Sequence, residues 1–207
     1  MATNKAGKEI TSIWTPANIV TCIRILFIPI FMVTAALSYD RAAQVFSPGL
    51  AIASFVLYAL LSLTDKIDGN LARSRGEITD FGKFLDPIAD KLLVFSALLM
   101  LLDQGFVNVW FVFIILVREF LVSALRMVAS ANGEVIAADT LGKWKTATTM
   151  VSLCGFYLTF CFGALGYTAA FDIFMMLSQL VLIIAVILTV ISGLQYFWNA
   201  RKIVFRV

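Results

Sequence analysis

The 207-residue chain contains no histidine. That removes imidazole-based zinc sites and histidine general-base chemistry together. Cysteine is scarce too. Cys22, Cys154 and Cys161 all fall in apolar runs. Cys154 and Cys161 lie seven residues apart, about 10 Å along a helix, which is too far to bridge. No disulfide and no thiolate metal site is expected. Charged residues make up only 14% of the chain, and its net charge of +3 is too small and too scattered to point to nucleic acid. No alternating segments of about ten residues suggest a transmembrane β-barrel. No internal repeat or low-complexity stretch is seen, and no loop is long enough for a soluble domain.

Apolar residues dominate instead. They form 61% of the chain, and the mean hydropathy is +0.94. Runs of about 20 apolar residues suit a helix that crosses a bilayer. Six are present, at residues 17–37, 49–64 continuing through 65–71, 82–102, 107–130, 144–164 and 173–198. The expected fold is all-α: a polytopic membrane protein of six transmembrane helices in a single domain spanning 1–207. Residues 1–16 form a polar N-terminal segment. Ile10, Ile13 and Trp14 would let it lie as an interfacial helix. Arg24 within the first apolar run argues against a cleaved signal peptide. Six spans place the N-terminus, the 2–3 and 4–5 loops and the C-terminus on one side. Lys5, Lys8, Arg73, Arg75, Lys143, Lys145, Arg201, Lys202 and Arg206 lie at or near that side, whereas Arg41 is on the other. The positive-inside bias therefore predicts cytosolic termini.

Against this background, residues 63–92 read LTDKIDGNLARSRGEITDFGKFLDPIADKL, with five aspartates and three glycines. Asp65 and Asp68 are three apart on one predicted helix. Asp86 and Asp90 are four apart on the next. Each pair shares a helical face, and the short link between the helices makes them antiparallel neighbours. Four carboxylates then converge near the headgroup level. Unneutralised, they would repel and cost several kcal/mol in desolvation. Lys66 and Lys91, beside the acids in sequence, are expected to point elsewhere. Oxygen-only ligands favour a hard ion, Mg²⁺ or Mn²⁺, and two such ions suit four carboxylates and phosphoryl displacement. Asp80, Glu77 and Asp103 read as solvated acids. Gly69 and Gly82 read as points of close helix packing or close ligand approach.

The pattern Asp65-x2-Asp68-Gly69-x2-Ala72-Arg73-x8-Gly82-x3-Asp86-x3-Asp90 resembles the signature of the CDP-alcohol phosphotransferase family, position by position. The resemblance implies six transmembrane helices around a polar cavity open to the cytosol. It implies one metal on Asp65, Asp68 and Asp86, a second on Asp65, Asp86 and Asp90, and Asp90 as general base. It assigns Asp68, Gly69, Ala72, Arg73, Thr79 and Gly82 to CDP-diacylglycerol. CMP would be the leaving product, and a homodimer within membrane lipid the assembly.

The signature does not fix the acceptor alcohol. Arg118 and Arg126 lie in the fourth apolar run, and Lys143 and Lys145 open the fifth. Arginine deep in a membrane is costly and faces the protein interior. Glu119 is expected to face away from Arg118. Together with Arg24, these cations suit an acceptor that carries phosphate. NIVTCIRILFIPIF, VREFLVSALR, LGKWKTATTM and SGLQYFWNARKIVF resemble stretches of the bacterial phosphatidylglycerophosphate synthases, a branch of the same family. That resemblance implies sn-glycerol 3-phosphate as acceptor and the bacterial cytoplasmic membrane as location. Inositol phosphate, serine or phosphatidylglycerol are the competing acceptors. A cation-coupled transporter is the competing class, but it would spread polar residues through several spans to the far side.

Overall fold

In the computed structural model, residues 14–75, 79–133 and 140–204 are described. Within them, the side chains of residues 17, 65–75, 80, 83 and 202–204 are not. The N-terminal segment read as an interfacial helix falls mostly on residues 1–13, outside the described residues.

The six apolar runs fold as six helices: α1 (Pro16–Ser38), α2 (Pro48–Arg75), α3 (Asp80–Asp103), α4 (Val109–Ala131), α5 (Thr140–Ala164) and α6 (Thr168–Val204). In lipid a backbone must satisfy its own polar groups, and a helix does so within one segment. Among the described residues, α1, α5 and α6 contain stretches long and apolar enough to cross a membrane, and α2 carries a shorter apolar stretch, Pro48–Thr64. α3 and α4 also carry charged side chains within their length. The protein is an all-α, multi-pass membrane protein.

One element goes beyond the sequence reading. The α1–α2 link forms a small antiparallel hairpin, β1 (Tyr39–Asp40) with β2 (Val45–Phe46). Asp40 supports its turn by accepting from the backbone N–H of Ala42 and Ala43, at 2.9 and 3.1 Å. Arg41 then donates to the Asp103 carbonyl at 2.9 Å, and Gln104 to that of Ala35 at 2.6 Å. These bonds tie the C-terminal ends of α1 and α3 together.

The core sits where α1, α2 and α5 meet. Phe31, Tyr58 and Tyr157 are fully buried, with ring centroids 5.1–5.6 Å apart. The Tyr157 hydroxyl donates to the Ala97 carbonyl of α3 at 3.1 Å. Dispersion and such interhelical bonds hold membrane helices together, because lipid supplies little hydrophobic drive. α1 packs on both α2 and α3, which decides what the aspartates of α3 can touch.

Candidate active site

α3 begins at a built cap. Thr79 is its N-cap and accepts from the Gly82 N–H at 3.0 Å, satisfying one of the unpaired donors at a helix start. The same hydroxyl oxygen accepts from Asn18 Nδ2 of α1 at 2.7 Å. Gly82 is buried against this pair. A Cβ at that position would lie 2.5 Å from Asn18 Oδ1. Gly82→Ala should therefore lower the thermal unfolding midpoint in detergent, despite alanine's helix preference. In an Asn18→Ala background, where the nearest remaining atom is Thr79 Oγ1 at 3.3 Å, the same change should lower it less. An equal loss in both backgrounds would place the crowding elsewhere.

Two further contacts continue along the same edge. Thr21 Oγ1 donates to Asp86 Oδ1 at 3.0 Å. Arg24 Nη1 lies 3.7 Å from Asp90 Oδ1, with the Arg24 side chain 1% exposed and that of Asp90 45%. Asn18, Thr21 and Arg24 are spaced by three on α1, so they share a face and meet Thr79, Asp86 and Asp90 in order. The structure thus places Arg24 beside an aspartate of α3 and not among the cations of α4 and α5. Sequence reasoning passed over Asn18 and Thr21. The signal that could have found them is this three-residue polar spacing on an otherwise apolar helix.

Asp86 and Asp90 stand one turn apart on α3, Asp86 exposed and Asp90 half-exposed. Pro87 lies between them and removes one helix donor. The side chains of Asp65, Asp68, Gly69, Ala72 and Arg73 lie outside the described residues, but their places on α2 are given by its bounds. Asp65 is ten residues before the end of α2 at Arg75. Asp90 is ten residues after the start of α3 at Asp80. At 1.5 Å per residue each sits about 15 Å from the α2–α3 link. Asp68 and Asp86, seven and six residues from their ends, are level in the same way. This donor set fits hard divalent ions: the ligands are carboxylates, and the two described ones are open to solvent.

A second polar centre lies between α4, α5 and α6. Glu119 Oε1 accepts from Arg118 Nη1 at 3.0 Å and pairs with Lys145 Nζ. Lys145 is only 5% exposed. Arg118 also donates to Ser192 Oγ of α6 at 3.2 Å. Gly193 makes room for it: a Cβ there would lie 3.0 Å from Arg118 Cγ. Lys91 of α3 hydrogen-bonds Ser123, which donates to the Glu119 carbonyl at 2.8 Å. The expectation that Glu119 faces away from Arg118 is thus corrected. A helical wheel fixes where Cβ points, but these long side chains curl back and meet. Lys91 likewise joins this centre.

The other predicted acceptor cations are not gathered there. Arg126 is exposed, donates to the Tyr196 hydroxyl at 3.3 Å and lies over its ring at 5.5 Å. Lys143 is exposed. An apolar cavity of about 350 Å³ opens between α4 and α6, with Arg118 in a wall otherwise built by residues such as Val117, Leu121, Val190 and Phe197. It has no lining residue from the aspartate-bearing helices.

Carboxylates at one level on two successive helices of a multi-pass membrane protein, with cations of α4 and α5 paired to Glu119, make the chemistry expected of a membrane enzyme for phosphorylated lipids. Comparison with known proteins makes this specific. Residues 14–197 match the model of the CDP-alcohol phosphatidyltransferase family, and the chain belongs to that family. It is 37% identical over 193 residues to the CDP-diacylglycerol–glycerol-3-phosphate 3-phosphatidyltransferase of Bacillus subtilis (strain 168), covering 89% of this chain and 96% of that one. It is 36% identical to a probable phosphatidylglycerophosphate synthase of Mycobacterium tuberculosis (strain H37Rv), covering 90% and 81%. It is also 36% identical to the Rickettsia bellii CDP-diacylglycerol–glycerol-3-phosphate 3-phosphatidyltransferase, covering 89% and 94%. The chain is therefore a phosphatidyltransferase of phospholipid biosynthesis with CDP-diacylglycerol as donor, in a family that uses a divalent metal.

Proposed function

We propose that this protein transfers the phosphatidyl group of CDP-diacylglycerol to sn-glycerol 3-phosphate, giving phosphatidylglycerophosphate and CMP. It would do so as a homodimer of single-domain chains in the bacterial cytoplasmic membrane, with both termini cytosolic. The observation that carries the acceptor is the centre around Glu119. Arg118 and Lys145 pair with one carboxylate, and Lys91 is near enough to Lys145 for their charges to interact. Three cations against one anion leave an excess of two positive charges, which complements a phosphate monoester near neutral pH. The activities for which the relatives are named point the same way.

Asp65, Asp68 and Asp86 would hold one Mg²⁺ or Mn²⁺, and Asp65, Asp86 and Asp90 a second. When bound, such ions neutralise pyrophosphate and stabilise the charge that develops as CMP leaves. Asp68, Gly69, Ala72, Arg73, Thr79 and Gly82 would seat the donor. Small residues at Gly69 and Ala72 leave room for it near the backbone, Gly82 lets α1 close on the start of α3 beside it, and Arg73 supplies a cation for phosphate. Asp90 accepts the proton of the acceptor hydroxyl, which attacks the phosphorus bearing the diacylglycerol. Arg118 and Lys145 hold the acceptor phosphate. Arg24, held beside Asp90, and the exposed Arg126 and Lys143 contribute less.

The test is CMP release by purified protein given CDP-diacylglycerol, Mg²⁺ or Mn²⁺ and a panel of acceptors. Glycerol 3-phosphate should support turnover; inositol phosphate, serine and phosphatidylglycerol should not. Preference for one of those would overturn the acceptor. Arg118→Ala should raise the apparent KM for glycerol 3-phosphate about ten- to a hundredfold, the loss of a charge-assisted contact of about 1.5–3 kcal/mol. Arg126→Ala and Lys143→Ala should have smaller effects. CDP-diacylglycerol binding should change little in each. An unchanged acceptor KM with weaker donor binding in Arg118→Ala would reverse the division of the site.

A further inference from the structure

We propose that Thr21 is a positioning residue for Asp86, and that the polar edge Asn18–Thr21–Arg24 of α1 sets how α3 presents its carboxylates. This rests on the reading of Asp86 as a metal ligand. Thr21 is 1% exposed. Most helical hydroxyls described in this chain donate back into their own helix, as those of Thr34, Thr64, Thr149 and Thr189 do. That is the usual use of threonine in an apolar helix. Thr21 donates across to a carboxylate on a different helix, at 3.0 Å.

The contact has a mechanical consequence. Asp86 is exposed and rotates about two side-chain bonds. A buried hydroxyl on one of its oxygens fixes the plane of the carboxylate, and with it the direction of the other oxygen. The anchors on either side prevent α1 from sliding along α3. Asn18 is bonded to the N-cap Thr79, and Arg24 is paired with Asp90. Hydrogen-bond partners of metal ligands orient them, and their removal typically weakens metal affinity about 10- to 100-fold.

The experiment measures Mn²⁺ binding to full-length protein in detergent, reading free Mn²⁺ by electron paramagnetic resonance. Thr21→Val removes the donor at nearly constant shape and should weaken Mn²⁺ binding about 10- to 100-fold. Thr21→Ser restores a hydroxyl and should bind close to wild type. Helicity by circular dichroism should be the same in all three. If valine perturbs the helix, Thr21→Ala removes the donor without the branched side chain and carries the same expectation. Asp86→Asn is measured alongside. Weakened binding in Asp86→Asn with wild-type binding in the Thr21 variants overturns the positioning role alone. Wild-type binding in Asp86→Asn overturns the metal reading, and the proposal with it. CMP release at saturating Mn²⁺ should recover in Thr21→Val. Loss of rate that no Mn²⁺ concentration repairs, with affinity unchanged, would make Thr21 a structural residue only.

Discussion

Asp65→Asn, Asp68→Asn and Asp86→Asn should each remove nearly all CMP release, and EDTA should do the same to the wild-type protein until Mg²⁺ or Mn²⁺ is returned. In the proposed site the pyrophosphate donor brings negative charge among carboxylates, so without cations both would repel. Metal stabilisation of phosphoryl displacement is worth several kcal/mol, and each 1.4 kcal/mol is a tenfold rate. A loss of about a thousandfold follows. Asparagine keeps the shape of aspartate and one oxygen but lacks the charge, so the effect reads ligation and not packing. Full activity in chelator would sink the metal reading. Full activity in one variant would remove that residue from the ligand set.

Asp90→Asn should lower the rate by about a hundred- to ten-thousandfold, the usual contribution of a positioned general base, while CDP-diacylglycerol binding stays largely intact. Asp90 is half-exposed on α3, so an acceptor hydroxyl can approach it, and buried Arg24 stands on its other side. Binding of the donor, followed by equilibrium titration in detergent, separates this from the ligand variants above. Near wild-type turnover would show that the proton goes elsewhere. Donor binding lost in step with turnover would show that Asp90 acts mainly as a ligand.

Much of this protein is written in its helical periodicity. The six apolar runs became the six helices within a few residues at most boundaries, because length and hydropathy fix membrane helices strongly. The pairs Asp65 and Asp68, and Asp86 and Asp90, are legible for the same reason: spacing within one helix decides which side chains share a face. The short link from α2 to α3 brings both pairs to one level. The hairpin between α1 and α2 was not legible, since two-residue strands carry no hydrophobic pattern.

Contacts between helices were decided only by the tertiary structure. Nothing along the sequence says that Thr79 will accept from Asn18 as well as from the start of α3, or that Thr21 will reach Asp86. Those depend on how α1 lies on α3, a registration held by many packed side chains at once. Arg24 was grouped with the cations of α4 and α5 and sits against Asp90 of α3. Glu119 was predicted to turn away and instead joins Arg118 to Lys145. Both cases have one physical reason. The sequence determines the direction in which a side chain leaves its helix. The charged end of a long side chain goes where a partner of opposite sign can repay its desolvation, and only the packed helices decide where that partner is.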